Sequence, residues 1–143
     1  MNPTYRAHTL RAVGAVIYDG LIMLGLLMIA GALALPVNRL LTGDASDGSH
    51  PLFQIYLLLV LSGYYLYFWK RSGQTVGMKA WRLKLVAQSD EPMTIRQLLI
   101  RQVTAIPAYL LIVGVFWQYW DKDELNWQDR ASGTRLIYLG KKK

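Results

Sequence analysis

Asp19 is the residue whose chemistry most needs an explanation. It stands in "LRAVGAVIYDGLIML", Leu10 to Leu24, the front half of an apolar run that carries Arg11 near its start. Hydrocarbon penalises a carboxylate by roughly 2.5 to 3.5 kcal/mol on insertion scales, so an aspartate kept there has a partner or a task. Arg11, Ala15 and Asp19 follow i, i+4, i+8 and lie on one stripe of a helix. Two turns separate the arginine from the aspartate by about 12 Å, which is long for a direct pair. Two roles stay open. Asp19 can hold helices together by bonding a tyrosine, an arginine such as Arg101, or a backbone group. Alternatively it can bind a proton or cation during transport. The lack of a second acid at membrane depth favours the structural role.

Other chemistry is thinly represented. "GQTVGMK" has the glycines and lysine of a phosphate-binding loop, but Gly73 and Gly77 are one residue too close and Ala80 follows Lys79 where Ser or Thr is needed. A tight connection from a span to a surface helix explains it better. His8 and His50 fall in separate contexts on opposite sides of a membrane, so no shared metal site is expected. There is no cysteine and no serine, histidine and acid constellation. No enzyme activity, cofactor or metal is therefore expected.

The elements that must position these residues are mostly apolar. The chain has 143 residues, 53% of them hydrophobic, with a formal net charge of +7, which suits one small membrane domain over 1–143 with its charges confined to loops. Residues 12–37 hold a single charge, Asp19, and 52–69 hold none. A third apolar stretch, within 98–120, ends in "FWQYW" as the second ends in "YYLYFW", aromatic clusters of the kind enriched at membrane interfaces. Each is long enough for a hydrocarbon core of about 30 Å. The expected class is an all-α integral membrane protein with three hydrophobic helical segments. Core helices of soluble proteins rarely run this long without charge. The first run lacks the small-residue cleavage pattern of a signal peptide and is expected to stay attached.

Basic residues indicate the cytoplasmic side. Arg6 and Arg11 lie at the N-terminus, and Lys70, Arg71, Lys79, Arg82, Lys84, Arg96 and Arg101 crowd the second connection, whereas the first has only Arg39 against Asp44 and Asp47. The N-terminus and second connection are expected inside. Three full crossings would put the basic tail, "GKKK", outside. A third segment broken at Pro107 or re-entering the membrane resolves the conflict and leaves the C-terminus cytoplasmic. Trp81–Ala87 alternates like a short strand, and Thr134–Gly140 has strand composition, so a two-stranded pairing is expected in a small cytoplasmic extension. Thr94 and Gln97 form a capping box that starts a helix. Lys70, Arg71, Lys79 and Arg82 are candidates for lipid headgroup contact, which accounts for the basic charge without nucleic acid.

The arginine and aspartate of the opening stretch, the "GQTVGMKAWRLKLV" block and the terminal "WQDRASGTRLIYL" together resemble the RDD family of bacterial membrane proteins. The likeness covers nearly the whole chain. It implies that Arg11, Asp19 and Asp129 are the family's arginine and two aspartates. Many members have histidine before the last aspartate, where this chain has Gln128. The family is described as possibly transporting ligands, with ion and proton exchange proposed for some members. Two functions are weighed. One is an accessory or stabilising subunit of a larger inner-membrane complex, favoured because three segments can hardly enclose a pathway. The alternative is a homo-oligomeric transporter of a small ligand, cation or proton using Asp19.

Overall fold

In a computed structural model the described residues are 9–43, 50–89, 91–110, 117, 122 and 125–140. Helix α1 spans Thr9–Thr42 and α2 spans Pro51–Ser72. Both are long and apolar enough to cross a membrane. They also leave their apolar side chains exposed: within the most apolar stretch, 11% of α1 and 6% of α2 is buried. A soluble core helix would be largely covered. Leu21, Leu24 and Met28 of α1 and Leu58 and Leu59 of α2 are among the exposed residues, as lipid-facing side chains are.

Local chemistry sets the ends of α2. His50 caps its start, with Nδ1 accepting from the Leu52 amide at 3.2 Å, and Pro51 occupies the first turn, where its missing N–H costs nothing. Gly73, at φ 69°, ends the helix in the left-handed conformation and donates its N–H to the Trp69 carbonyl. A Cβ there would come within 2.5 Å of the Leu85 carbonyl oxygen, so the turn is closed onto the strand that follows.

Helix α3 is one short turn, Val76–Ala80, and leads to β1, Leu83–Ala87. The expected capping box is present: Gln97 Oε1 accepts from the Thr94 amide at 2.9 Å, and Thr94 Oγ1 accepts from the Gln97 amide at 3.3 Å. It starts α4, Ile95–Leu110. Helix α5, Trp127–Ser132, is followed by Gly133 at φ 63° and then by β2, Thr134–Tyr138. Strands β1 and β2 pair antiparallel, with Leu83 opposite Tyr138 and Ala87 opposite Thr134. Each strand is two residues shorter than the composition suggested, both at the Leu83 and Tyr138 end of the ladder. Trp81 and Arg82 make a turn instead, and the Arg82 backbone has φ 55°.

The core lies at one end of the molecule. Leu83, Leu85 and Leu98 are fully buried there with Ala15, Trp69 and Met78. The N-terminal part of α1, the end of α2, the sheet and the start of α4 thus pack together, while the rest of α1 and α2 extends away.

The expected break at Pro107 is not found. Helix α4 runs through Pro107 and continues to Leu110. A proline in a helix removes one backbone hydrogen bond and crowds the carbonyl four residues earlier, but its φ is helical, so the helix can continue through it, as α1 also does through Pro36. The rest of the third segment, 111–116 and 118–120, lies outside the described residues. Its two flanks do lie together, because α5 returns to pack on α4. β1 and β2 likewise place the C-terminal strand beside the connection after α2.

Candidate functional site

Asp19 projects from the third turn of α1 and is 3% exposed. Its Oδ1 accepts from the Tyr64 hydroxyl at 3.0 Å and from the Gly77 amide at 2.8 Å. Its Oδ2 accepts from the Thr75 hydroxyl at 2.5 Å. Thr75 is itself fully buried and its Oγ1 also accepts from the Met78 amide at 3.1 Å, capping α3. One carboxylate therefore joins α1 to α2 and to the first turn of α3. Three donors fit an ionised carboxylate, whose oxygens only accept.

The close approach of α3 explains the glycine spacing. A Cβ on Gly77 would sit 2.4 Å from the Ala15 carbonyl oxygen and 2.8 Å from Asp19 Cγ. One at Gly14 would sit 2.4 Å from the Trp81 indole. The "GQTVGMK" stretch is a receptacle for the chain's own anion. Its threonine and glycine, not its lysine, do the binding.

Arg101 is not a partner of Asp19. Its guanidinium forms a buried ion pair with Asp129 Oδ1 and donates to Thr134 Oγ1 at 2.8 Å. Ser132 Oγ lies 2.7 Å from the same threonine oxygen and donates to the Gln128 carbonyl at 2.6 Å. Gln88 Nε2 bridges the Asp129 and Thr134 carbonyls at 3.1 and 2.9 Å. The Arg101 guanidinium also lies over the Trp69 ring, 5.7 Å from its centroid. This second cluster ties α4 to α5 and the sheet, and Trp69 of α2 abuts it.

Arg11 serves a third contact. Its guanidinium stacks over the Tyr138 ring at 4.3 Å, linking α1 to β2. Arg11, Asp19 and Asp129 thus end at three different junctions of the same packed end, and none of the three is held by another. Lys70, Arg71, Lys79 and Arg82 are all exposed. Each also has an internal contact: Lys70 donates to the Met93 carbonyl at 2.7 Å, Arg71 to the Tyr67 hydroxyl at 2.6 Å and Arg82 to the Gly140 carbonyl at 3.2 Å, and Lys79 lies 6.0 Å from the Phe68 ring centre. Among the described residues no group of acids, histidines and cysteines could hold a metal ion. His8 lies outside them.

Between α1, α2 and α4 lies a partly open cavity of about 430 Å³, whose wall includes Asp19, Trp69, Arg101, Gln102 and Gln128. Sequence reading missed the cavity and the polar role of Gln102, which donates to Ser62 Oγ at 3.1 Å. A lone glutamine next to Arg101 carries no local signal of either.

The sequence model of the RDD family matches residues 6–133, which include Arg11, Asp19 and Asp129. No curated protein and no solved structure matches the chain.

Proposed function

Within the RDD family, to which this chain belongs, we propose that it is a non-enzymatic accessory subunit that packs against and stabilises a larger inner-membrane complex. The carrying observation is the state of Asp19, whose two oxygens are both occupied by donors of the chain itself. A relay carboxylate has to exchange a proton or ion with something that moves, and this one is buried as a fastener. The exposed apolar faces of α1 and α2 then supply the contact surface. Gly31, where an added Cβ would meet the Phe53 ring of α2 at 3.7 Å, shows how a small residue admits a neighbouring helix.

In this reading the protein is multi-pass, with α1 and α2 crossing and the third segment re-entering. The packed end faces the cytoplasm with both termini, because the basic excess is there. Lys70, Arg71, Lys79 and Arg82 meet anionic headgroups, each contact contributing about 1 kcal/mol near the surface.

The cavity beside Asp19 supports a second reading, a homo-oligomeric transporter of a small ligand, cation or proton. Native mass spectrometry of the chain extracted from its own membrane in mild detergent separates the two. A larger membrane protein at fixed ratio is the expected result. Copies of this chain alone would overturn the accessory role and direct flux measurements to the oligomer.

A further inference from the structure

Four buried side-chain atoms among the described residues lack a hydrogen-bond partner, and three of them, Trp69 Nε1, Gln102 Oε1 and Gln128 Oε1, are on residues that line the same cavity. Trp69 is 8% exposed and Gln128 3%. Buried polar groups are nearly always paired, and an unpaired one costs its full desolvation. Three on residues of one cavity wall mark a place where small side-chain turns let an occupant supply the missing partners.

The rest of the wall restricts what that occupant is. Ala12, Val16, Leu58, Leu61, Leu99 and Val103 line the greater part, which calls for an apolar body. The two charged groups of the wall are already served: Arg101 by Asp129, and Asp19 by three donors. A charged head would bring a charge with no counterpart into a mostly apolar site. A volume of about 430 Å³ falls in the range of small-molecule pockets and admits one acyl chain rather than two. The flanking helices α1 and α2 are the two that can cross a membrane, so the bilayer is the source.

We propose that this cavity binds an uncharged single-chain lipid with an ester and hydroxyls at its head, of the monoacylglycerol class. The chain lies along the apolar wall between α1, α2 and α4. At the head, an oxygen accepts from the Trp69 indole N–H and hydroxyls donate to the Gln102 and Gln128 carbonyls, each amide turning slightly to meet them. This site goes beyond the subunit role and does not depend on it.

The test uses the full chain held in amphipol, which leaves no detergent to compete, incubated separately with 1-monolauroylglycerol, laurate and dodecylamine and read by native mass spectrometry. One monolauroylglycerol per chain is expected, with about tenfold less of either charged probe, the ratio that one good hydrogen bond confers. Trp69→Phe and Gln128→Leu should each lower the adduct by about tenfold. Ala105→Phe, which fills the cavity from α4 and leaves the polar atoms in place, should abolish it. Circular dichroism identifies a variant that fails to fold, and the remaining two then carry the test. Equal binding of the three probes, adducts unchanged in the folded variants, or no adduct in the parent chain would each overturn the proposal, the last by leaving water as the partner of the three atoms.

Discussion

Asp19 and Asp129 are equally buried, at 3% exposure each, yet the two junctions they serve are built on different electrostatics. Around Asp19 every donor is neutral: a phenol, a hydroxyl and a backbone amide. Around Asp129 the principal donor is a guanidinium. The difference teaches what each junction tolerates. Neutral donors stripped of their acceptor leave unmade hydrogen bonds but no net charge. A guanidinium stripped of its carboxylate is an uncompensated charge at a buried position. The α4, α5 and sheet junction should therefore be the more brittle of the two, even though both carboxylates are paired in the native protein.

The sharpest break comes at Arg101. Arg101→Leu leaves Asp129 buried without its cation and should cost about 3–5 kcal/mol, the usual penalty for removing one partner of a buried pair. Adding Asp129→Leu removes the stranded charge, and well-packed apolar replacements of such pairs are often neutral, so most of the loss should return. Chemical unfolding in detergent, followed by tryptophan fluorescence, measures both. If the double variant is as unstable as the sum of the single ones, the pair is not the unit that holds this junction.

A smaller effect is expected at the other carboxylate. Asp19→Ala leaves three donors without an acceptor and should cost about 2–4 kcal/mol, less than a stranded charge. Asp19→Asn should cost only about 1 kcal/mol. The amide oxygen can replace Oδ1 for Tyr64 and Gly77, and the amide nitrogen can donate to Thr75, whose hydroxyl then serves as acceptor. The same unfolding measurement should rank Arg101→Leu above Asp19→Ala, and Asp19→Ala above Asp19→Asn. Equal losses for Asn and Ala would mean that the charge itself is required, and the contrast between the junctions would fall.

Legibility in the sequence followed the range of the interactions. The Thr94 and Gln97 cap is complete within four residues and was readable as such. The alternation that buries Leu83 and Leu85 is likewise local. The kinds of partner that Asp19 finds, a tyrosine and a backbone group, follow from its chemistry alone, whereas the identity of Tyr64 and Gly77 depends on how α3 meets α1. "GQTVGMK" carries the clue, since glycine and threonine two apart can bring an amide and a hydroxyl to one anion, but nothing in the stretch says that the anion is 56 residues upstream of Thr75. Arg101 and Asp129 are 28 residues apart, with most of the third segment between them, so no periodicity relates them. Proline misled for a different reason: it costs a helix one hydrogen bond and a local clash without ending it, and both Pro36 and Pro107 lie inside continuous helices.

The smallest expected effect probes whether the junctions are separate units at all. Arg11 meets the sheet through the face of Tyr138, a cation–π contact contributing about 0.5–1 kcal/mol at a partly exposed site. Arg11→Gln keeps the polarity, removes the charge and should lower stability by no more than that. Its consequence should also be confined. Hydrogen exchange should quicken at the β2 amides that pair with β1, while the Gly77 and Met78 amides, held by Asp19 and by Thr75, keep their protection. Tyr138→Leu should reproduce the pattern, and combining the two should add little, as expected when both remove one interaction. Faster exchange at Gly77 and Met78 in step with β2 would show that the packed end opens as a single cooperative unit. The contrast between a charge-paired and a neutral junction would then describe their chemistry but not their stability.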